Sequence, residues 1–493
     1  MADVTPTHAG ELAAGAPLPV WATARARRAA TWTAPAAAIL IGVAADQALR
    51  VAAFGVGASV TLILACAALI WFGRLVRFEA RALVVAAAVF AVWLTLRASP
   101  WLTWPDLLAA VGLLGLAASF SVRGSLRDLG AAELAARILQ SAVQMTAGAA
   151  FVIQPAMRAR GRARAAVPVA RGLLIAAPIA IVIGALLASA DPVFASFFNL
   201  NIDLGRLALD VLFIAFGALV AAGLLRLAAS EPIDRVDGPG WRLGVTETLV
   251  VLAVLDAVFA AFAIAQVLAA TGAAADTLRA AGVTYSDYAR SGFFQLLWVS
   301  GITLVVLFLF SRISYAPDAR SRLALMILSQ FAIALTLLID VVAFGRLSLY
   351  ETAYGFTMLR LYSHVFAGWT AVVFVLLAVD FLGVWKRRRW FVGAAAASAL
   401  LVLLALNFAN PEALVVALNT NHAQATHKLD GDYLATLSSD ATPALLQSRS
   451  SVDASLGSQI GRAACGGTRN YAPPPAAFNW SDAQAAAARR AGC

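Results

Sequence analysis

Long apolar runs alternate with short polar connections through most of this chain. Eleven runs are long enough to cross a bilayer, since a spanning helix needs about 20 mainly apolar residues. They lie at 34–50, 55–73, 81–97, 105–122, 170–190, 205–227, 244–270, 289–311, 321–343, 357–382 and 390–408. The pattern predicts an all-α, polytopic transmembrane helix bundle of about eleven spans.

The polar stretches divide the chain into five segments. Residues 1–33 are rich in Ala, Pro and Thr and predict a disordered cytoplasmic leader. Residues 34–122 form an N-terminal four-span region, and residues 170–408 form a seven-span core. Residues 409–493 change to a polar composition with several helix-start signals, which predicts a small helical C-terminal tail.

The segment 123–169 has no clean apolar run. Its stretch 132–153 is moderately apolar but carries Glu133, Arg137, Gln140 and Gln144, and arginines flank it on both sides. If it spanned the bilayer, one arginine cluster would lie outside, against the positive-inside rule. We therefore expect a cytoplasmic or interfacial segment with a re-entrant helix.

Arginine and lysine then fall on alternate connections, which predicts the orientation. The N-terminus is expected in the cytoplasm and the C-terminal tail outside it, in the plasma membrane of a bacterium. The expected cytoplasmic connections carry Arg74, Arg77, Arg81, Arg226, Arg235, Arg242, Arg312, Arg320, Arg322 and the run Lys386 to Arg389. The opposite connections carry single arginines at 50, 97, 206, 279 and 346.

Composition agrees with membrane insertion. The chain is 61% apolar and 13% charged, with a mean hydropathy of +0.81. Its net charge of +10 comes from arginines beside the spans, so topology accounts for it without a nucleic-acid partner. Membrane lipid is the expected partner, and nothing in the sequence indicates an oligomeric state.

Three cysteines occur, at 66, 465 and 493. Cys66 lies within an apolar run and is expected to be a small core residue. Cys465 and Cys493 both lie on the expected extracytoplasmic tail, where a disulfide can persist, so we predict that they pair.

The stretch from Thr284 to Phe310 marks the clearest entry of the chain into the bilayer. Tyr285, Tyr288 and Arg290 suit the headgroup layer, and Gln295 enters the apolar run and needs a polar partner.

Other polar residues gather near the expected outer ends of spans. The first interpretation is an outward-facing polar vestibule, with Glu351 beside it and Asp340, Arg360 and His364 near its floor. The alternative is that these residues cap helices and form interhelical salt bridges that hold the bundle together.

Asp256 falls near the middle of the run 244–270, with Gln266 toward its outer end. A midplane acid suggests a proton- or substrate-coupling role, and interhelical hydrogen bonding is the alternative.

No catalytic or nucleotide-binding motif occurs: there is no HExxH, GxSxG, phosphate-binding loop or GxGxxG before a helix. The spacing of His422 and His427 with Asp430 and Asp432 matches no zinc pattern. The sequence therefore predicts no cofactor and no metal, and it disfavours an enzyme.

Five ordered stretches resemble one bacterial family of integral membrane proteins. They are SADPVFASFF (189–198), DAVFAAFAIAQ (256–266), TYSDYARSGFFQLL (284–297), AYGFTMLRLY (353–362) and THKLDGDYLATLSSDATPALL (426–446). The resemblance is to domain of unknown function 4173, with 4153 as a close relative, over roughly residues 170–485. It implies a multi-pass membrane protein without a settled activity. The family pattern tends toward a polar amide where this chain has Asp256, which argues against a family-wide acid there.

Three hypotheses follow. The first is a permease or channel-like protein that uses the outer vestibule and Asp256. The second is a non-transporting envelope or signalling component that presents its outer tail to an envelope protein partner. A membrane-embedded transferase is third, since no paired acidic loop occurs. Spans interrupted around a midplane pocket would favour the first hypothesis, and a solid bundle with a groove only at the tail would favour the second.

Overall fold

The computed structural model describes residues 28–51, 54–122, 124–157, 204–230, 242–270, 292–383 and 389–493, with scattered residues between 172 and 194. The helices up to residue 229 are α1 Ala34–Leu49, α2 Val56–Phe72, α3 Phe78–Leu96, α4 Pro100–Ser119, α5 Ala131–Thr146, α6 Gly148–Met157 and α7 Leu204–Ala229. Those that follow in the bundle are α8 Val245–Ala270, α9 Phe293–Ile313, α10 Ala319–Tyr354, α11 Met358–Leu382 and α12 Trp390–Ala409.

Eight helices in the described ranges are long and apolar enough to cross a membrane. They are α3, α4 and α7 to α12, and each corresponds to a predicted span. Helices α1 and α2 match two further predicted spans but have only 16 and 17 residues. The predicted span 170–190 lies outside the described residues except at scattered positions. The chain is therefore an α-helical membrane protein, and a count of eleven spans is not confirmed.

Two helices have bounds that the apolar runs did not predict, α4 at its start and α10 at its end. Helix α4 begins at Pro100, so the stretch up to Pro105 is helical and not a connection. Helix α10 continues for 36 residues to Tyr354. The expectation that Asp340 closes a span is therefore wrong, because Asp340 lies well inside α10. Arg346 and Glu351 likewise lie on this helix, where their side chains find partners on neighbouring helices.

The described part of the bundle has three apolar cores, of which the smallest lies among α8, α9 and α10. The largest core joins α1 to α4 with α6 and α7, and it is built from alanine, leucine and phenylalanine. The second core joins α8 to α12 through residues such as Leu252, Leu307, Phe374 and Phe391. Leucines of α12 also pack against the largest core, so this helix links it to the second. The two-residue strand β1 (Leu243–Gly244), just before α8, pairs in parallel with β2 (Ser314–Tyr315), just after α9.

Residues 411–493 form a compact helical unit, which we call the cap. It comprises α13 Pro411–Thr426, α14 Gly431–Ala435, α15 Thr442–Ser448, α16 Ala454–Cys465 and α17 Trp480–Gly492. Its own core contains Val416, Leu434, Leu445 and Ile460. A disulfide joins Cys465 at the end of α16 to the last residue, Cys493. The bundle end that contacts the cap is called the cap end, and the opposite end is the far end.

Helices α5 and α6 form a hairpin against α7. Gln140 donates to the Oγ of Ser230 at 3.3 Å, and Gln144 accepts from Arg226 at 2.7 Å, so α5 runs from the far end of α7 into the bundle. The chain turns at Ala147, whose carbonyl accepts from Arg226 at 2.6 Å. Phe151 of α6 then packs in the core with Leu225, so α6 returns toward the far end. The hairpin lies within the segment 123–169, whose residues 158–169 are outside the described ranges.

Candidate functional site

The turn between α10 and α11 meets the cap. Helix α10 ends because Gly355 adopts a positive φ of 74°, and a Cβ there would lie 2.7 Å from the side-chain oxygen of Asn419. Thr357 then caps α11 by accepting from the backbone N–H of Arg360. The asparagine side chain of the cap donates to Phe356 O at 2.8 Å and accepts from Phe356 N at 2.9 Å. The turn is therefore held on the cap.

Beside this turn lies a groove of about 810 Å³ between the bundle and the cap. We call it the cap groove, and its walls are the 353–357 turn, Arg360, Asn419, His422, residues 428–433, Ala435, Gln459, Arg462 and Ala463. Two smaller cavities lie elsewhere, an almost wholly apolar crevice of 260 Å³ among α1, α2, α4, α5 and α7, and a 240 Å³ pocket at the far end. The groove is about three times larger than either.

Three cations and two carboxylates line the cap groove. Arg360 is fixed, because it donates to the carbonyls of Tyr354 and Gly355 and lies 4.3 Å from the ring centre of Tyr350. Lys428 and Arg462 line the opposite wall and are exposed. The groove thus gathers three cations on elements that are far apart in the sequence.

Behind the groove, Glu351 and His364 join α10 to α11. The His364 Nδ1 lies 3.3 Å from Glu351 Oε1, and Ser348 Oγ lies 3.3 Å from His364 Nε2. Glu351 is only 4% exposed. This contact has the form of the interhelical salt bridge that was the alternative to a vestibule.

Asp340 of α10 and Gln266 of α8 lie away from the contact between Glu351 and His364, and each has a partner on a neighbouring helix. Asp340 is buried and accepts from Ser300 of α9 at 2.5 Å. Gln266 of α8 accepts from Arg346 of α10 at 3.2 Å. Asp340 is eleven residues from Glu351, which is about 16 Å along a helix. The structure therefore separates Asp340 from the Arg360 and His364 with which the sequence grouped it.

The remaining predicted residues have separate environments. Asp256 is 5% exposed on α8, and neither of its carboxylate oxygens has a hydrogen-bond partner within the described part of the chain. Gln295 is exposed on α9, and its expected polar partner is not found among the described residues. Tyr285, Tyr288 and Arg290 lie outside the described residues. His427 lies 2.9 Å from Asp453, and no cluster of metal-ligating side chains occurs in the described ranges.

A buried polar cluster, which the sequence did not reveal, attaches the cap to the bundle. We call it the cap junction, and it comprises Arg97, Ser99, Asp106, Tyr362, Asn407, Glu412 and Asp440. Asp440 accepts from the backbone N–H groups of Ala98 and Ser99 at 3.0 and 2.8 Å. Asn407 donates to Asp106 at 2.7 Å, and its own carbonyl accepts from the Arg97 Nε at 2.9 Å.

Glu412 belongs to the cap junction and lies on the cap, near Asp440. It accepts from the N–H and the hydroxyl of Ser438, both at 2.7 Å, and it is 2% exposed. Burial raises the pKa of the Glu412 carboxyl above its usual range, and the nearby Asp440 carboxylate adds to the rise. In the sequence, each of these residues resembles an ordinary polar residue at a helix end. The family-like stretch 426–446, which contains Asp440, was the one signal of the cluster.

Comparison with known proteins gives one match. The model of the family described as Domain of unknown function (DUF4153) matches residues 84–448, about three quarters of the chain. The match begins well before residue 170, where the resemblance was expected to start, and it is to 4153 and not to 4173. No curated protein and no solved structure matches the chain.

Proposed function

We propose that this chain, which belongs to the family described as Domain of unknown function (DUF4153), is an envelope membrane protein that binds a ligand in its cap groove. The observation that supports the proposal most is the groove itself, whose volume of about 810 Å³ lies between the bundle and the cap. A groove at the tail supports a non-transporting component over a permease, and the separate crevice inside the bundle is almost wholly apolar.

The bundle in this proposal is a support. Helix α10 is continuous for 36 residues from the far end to the groove, and α11 leaves the groove as a continuous 25-residue helix. The turn between them forms one groove wall and is held by Asn419 of the cap. A ligand that bridges the turn and the cap would therefore change the packing of two long helices, which suits a sensing or signalling role.

The proposed orientation places the cap outside the cytoplasm. The arginine distribution supports this, since the far-end connections carry most of the basic residues. The Cys465–Cys493 disulfide supports it independently, because structural disulfides persist in oxidising compartments.

Cysteine accessibility tests the proposal. Gln459→Cys places a thiol in the groove, and Ser455→Cys places one on an exposed cap surface outside it. Cys66 is buried and the other two cysteines are bonded to each other, so the new thiol is the reactive one. With an impermeant maleimide, we expect both variants to react in intact cells. A ligand should slow the reaction at 459 in cells relative to washed, purified protein, and leave the reaction at 455 unchanged.

Two outcomes would contradict the proposal. Reaction of both variants only after cell lysis would place the cap in the cytoplasm. Equal rates at 459 in cells and in purified protein, with the control also unchanged, would show that the groove holds no ligand.

A permease is the second candidate, and one observation favours it. The Asp256 carboxylate is buried on a candidate spanning helix without a hydrogen-bond partner in the described residues. Such a group is expected to be protonated or paired with a cation. Proteoliposomes with a pH-sensitive dye inside test this directly. Proton flux above that of empty liposomes, abolished by Asp256→Asn, would support transport. Proton flux equal to that of empty liposomes would contradict the permease candidate.

A further inference from the structure

The cations of the cap groove lack carboxylate partners. Arg360, Lys428 and Arg462 form no salt bridge within the described part of the chain. Surface cations in an ordinary protein are often unpaired, but these three face one cavity from three different elements, the start of α11, the loop before α14, and α16. Their mutual repulsion is unfavourable unless negative charge in the groove offsets it.

The acids of the groove do not balance these cations. Asp430 caps α14 by accepting from the Tyr433 N–H at 2.9 Å, so one of its oxygens is occupied. Asp432 is exposed in the first turn of the same short helix. Two carboxylates therefore face three cations.

A neutral donor adds to the cationic set. The Tyr433 hydroxyl oxygen accepts from the backbone N–H of Met358 at 2.6 Å, which fixes its position. Burial raises the pKa of this phenol above its usual range, so the hydroxyl keeps its proton at neutral pH. Since the oxygen already accepts from the turn, its proton is available to a groove ligand. Phosphate oxygens are well matched to arginine, lysine and hydroxyl donors held in fixed positions.

We infer that the cap groove binds a phosphate-bearing anion. The inference rests on the proposed function, because it names the class of ligand for the same groove. Two sources supply this chemistry, a phospholipid headgroup and a free phosphate ester. A headgroup is within reach because the groove wall is the turn between two candidate spanning helices.

Full-length protein in lipid nanodiscs separates the two sources. In discs of phosphatidylcholine, glycerol phosphate is titrated by isothermal calorimetry. In a second arm, the fraction of phosphatidylglycerol in the discs is raised and the lipid retained by the protein is counted by native mass spectrometry. Binding in the first arm identifies a free phosphate ester, and retention only in the second identifies a headgroup.

The variants are Lys428→Gln and Arg462→Gln, which remove groove charges from exposed positions without touching the turn. Arg490→Gln is the matched control, since it removes an exposed cap cation outside the groove. We expect each groove variant to bind roughly tenfold more weakly, as for one lost charge-assisted bond, and the control to bind as the wild type does. Equal binding by the wild type and the double groove variant in the arm that shows binding would overturn the inference, as would no binding in either arm.

Failure of this inference is distinguishable from failure of the proposed function. If thiol labelling at 459 is slowed in cells while neither phosphate probe binds, the groove has a ligand of another chemical class. If labelling at 459 is not slowed, the groove has no ligand at all.

Discussion

Pro105 lies inside α4, where a proline removes one backbone hydrogen bond. The carbonyl that would have accepted from residue 105 is that of Trp101, four residues earlier. The Tyr362 hydroxyl of α11 donates to this carbonyl at 2.9 Å. A side chain from a distant helix thus replaces the missing N–H.

This replacement predicts a coupled pair of substitutions. Tyr362→Phe should lower the free energy of unfolding by about 1 kcal/mol, the usual net value of one hydrogen bond. In a Pro105→Ala background the backbone N–H is restored, so Tyr362→Phe should cost less. Thermal unfolding of the four proteins of this double-mutant cycle in detergent measures the coupling. Strictly additive effects would show that Tyr362 acts only through packing.

Glu412 predicts a pH dependence of cap stability. Because burial raises its pKa in the folded state, the ionised carboxylate destabilises the fold above that pKa. Stability is regained as pH falls through the folded pKa toward the unfolded value of 4.5. Glu412→Gln keeps an acceptor for Ser438 and removes the charge.

We therefore expect Glu412→Gln to unfold at a higher temperature than the wild type at about pH 8, with the difference shrinking toward about pH 5. Comparison of the two proteins at each pH cancels the contribution of carboxylates that do not interact with Glu412. A constant difference across this range would mean that Glu412 does not titrate with a raised pKa.

At the scale of elements, α5 places its polar side chains inside and its apolar ones outside. Glu133, Arg137, Gln140 and Gln144 are buried, whereas Ile138 and Leu139 are 62% and 55% exposed. A helix of a water-soluble protein shows the opposite arrangement. The exposed apolar face is suited to lipid, so the same amphipathic pattern that suggested an interfacial helix also fits a helix packed by its polar face against α4 and α7.

Arg137 joins the polar face of α5 to the end of α4. It donates to Glu133 at 2.6 Å and to the Ser119 hydroxyl at 2.6 Å, and it lies 4.6 Å from the ring centre of Phe120. Arg137→Leu should destabilise the protein by about 3–5 kcal/mol, because it leaves the Glu133 carboxylate buried without its cation. The double variant Glu133→Gln, Arg137→Leu should recover part of the loss. Thermal unfolding measures both, and a loss below about 1 kcal/mol for Arg137→Leu would contradict this assignment.

At the scale of the whole molecule, the cap depends on two devices, one that attaches it to the bundle and one that crosslinks it internally. The cap junction fixes its base to α3, α4 and α12, and Asn479 adds hydrogen bonds to the carbonyls of Leu94 and Arg97 at 3.3 and 2.8 Å. The disulfide acts within the cap, where it ties α16 to the end of α17. The first device orients the cap groove over the α10–α11 turn, and the second keeps the groove wall formed by α16 in place.

Removing the disulfide should destabilise the cap selectively. For a crosslink between residues 28 apart in sequence, we expect a loss of roughly 2–4 kcal/mol. Hydrogen exchange of the Cys465→Ser, Cys493→Ser variant should show faster exchange in α15 to α17, with the spanning helices unchanged. Cys66→Ser is the control, since Cys66 is buried in the bundle. Three free thiols on alkylation of the unreduced protein would show that the crosslink does not form.

The sequence by itself determined the α-helical membrane class and the approximate position of each described span. The length of an apolar run is a local property of the sequence, and it determines which segments are long enough to cross the hydrocarbon core of a bilayer. The pairing of Cys465 with Cys493 was also accessible, because only two cysteines were expected on the same side. The same reasoning predicted that the polar segment 123–169 is separate from the spans, but it did not show which face of α5 turns inward.

Tertiary structure decided the groove, the cap junction and the true end of α10. Asp440 bonds to backbone groups 341 and 342 residues away, and no local pattern records such a contact. The apolar pattern ended α10 early because Arg346 and Glu351 look like connection residues until α8 and α11 supply their partners. Polar side chains within a bilayer protein are placed by the neighbours that satisfy them, and those neighbours are known only once the helices have packed.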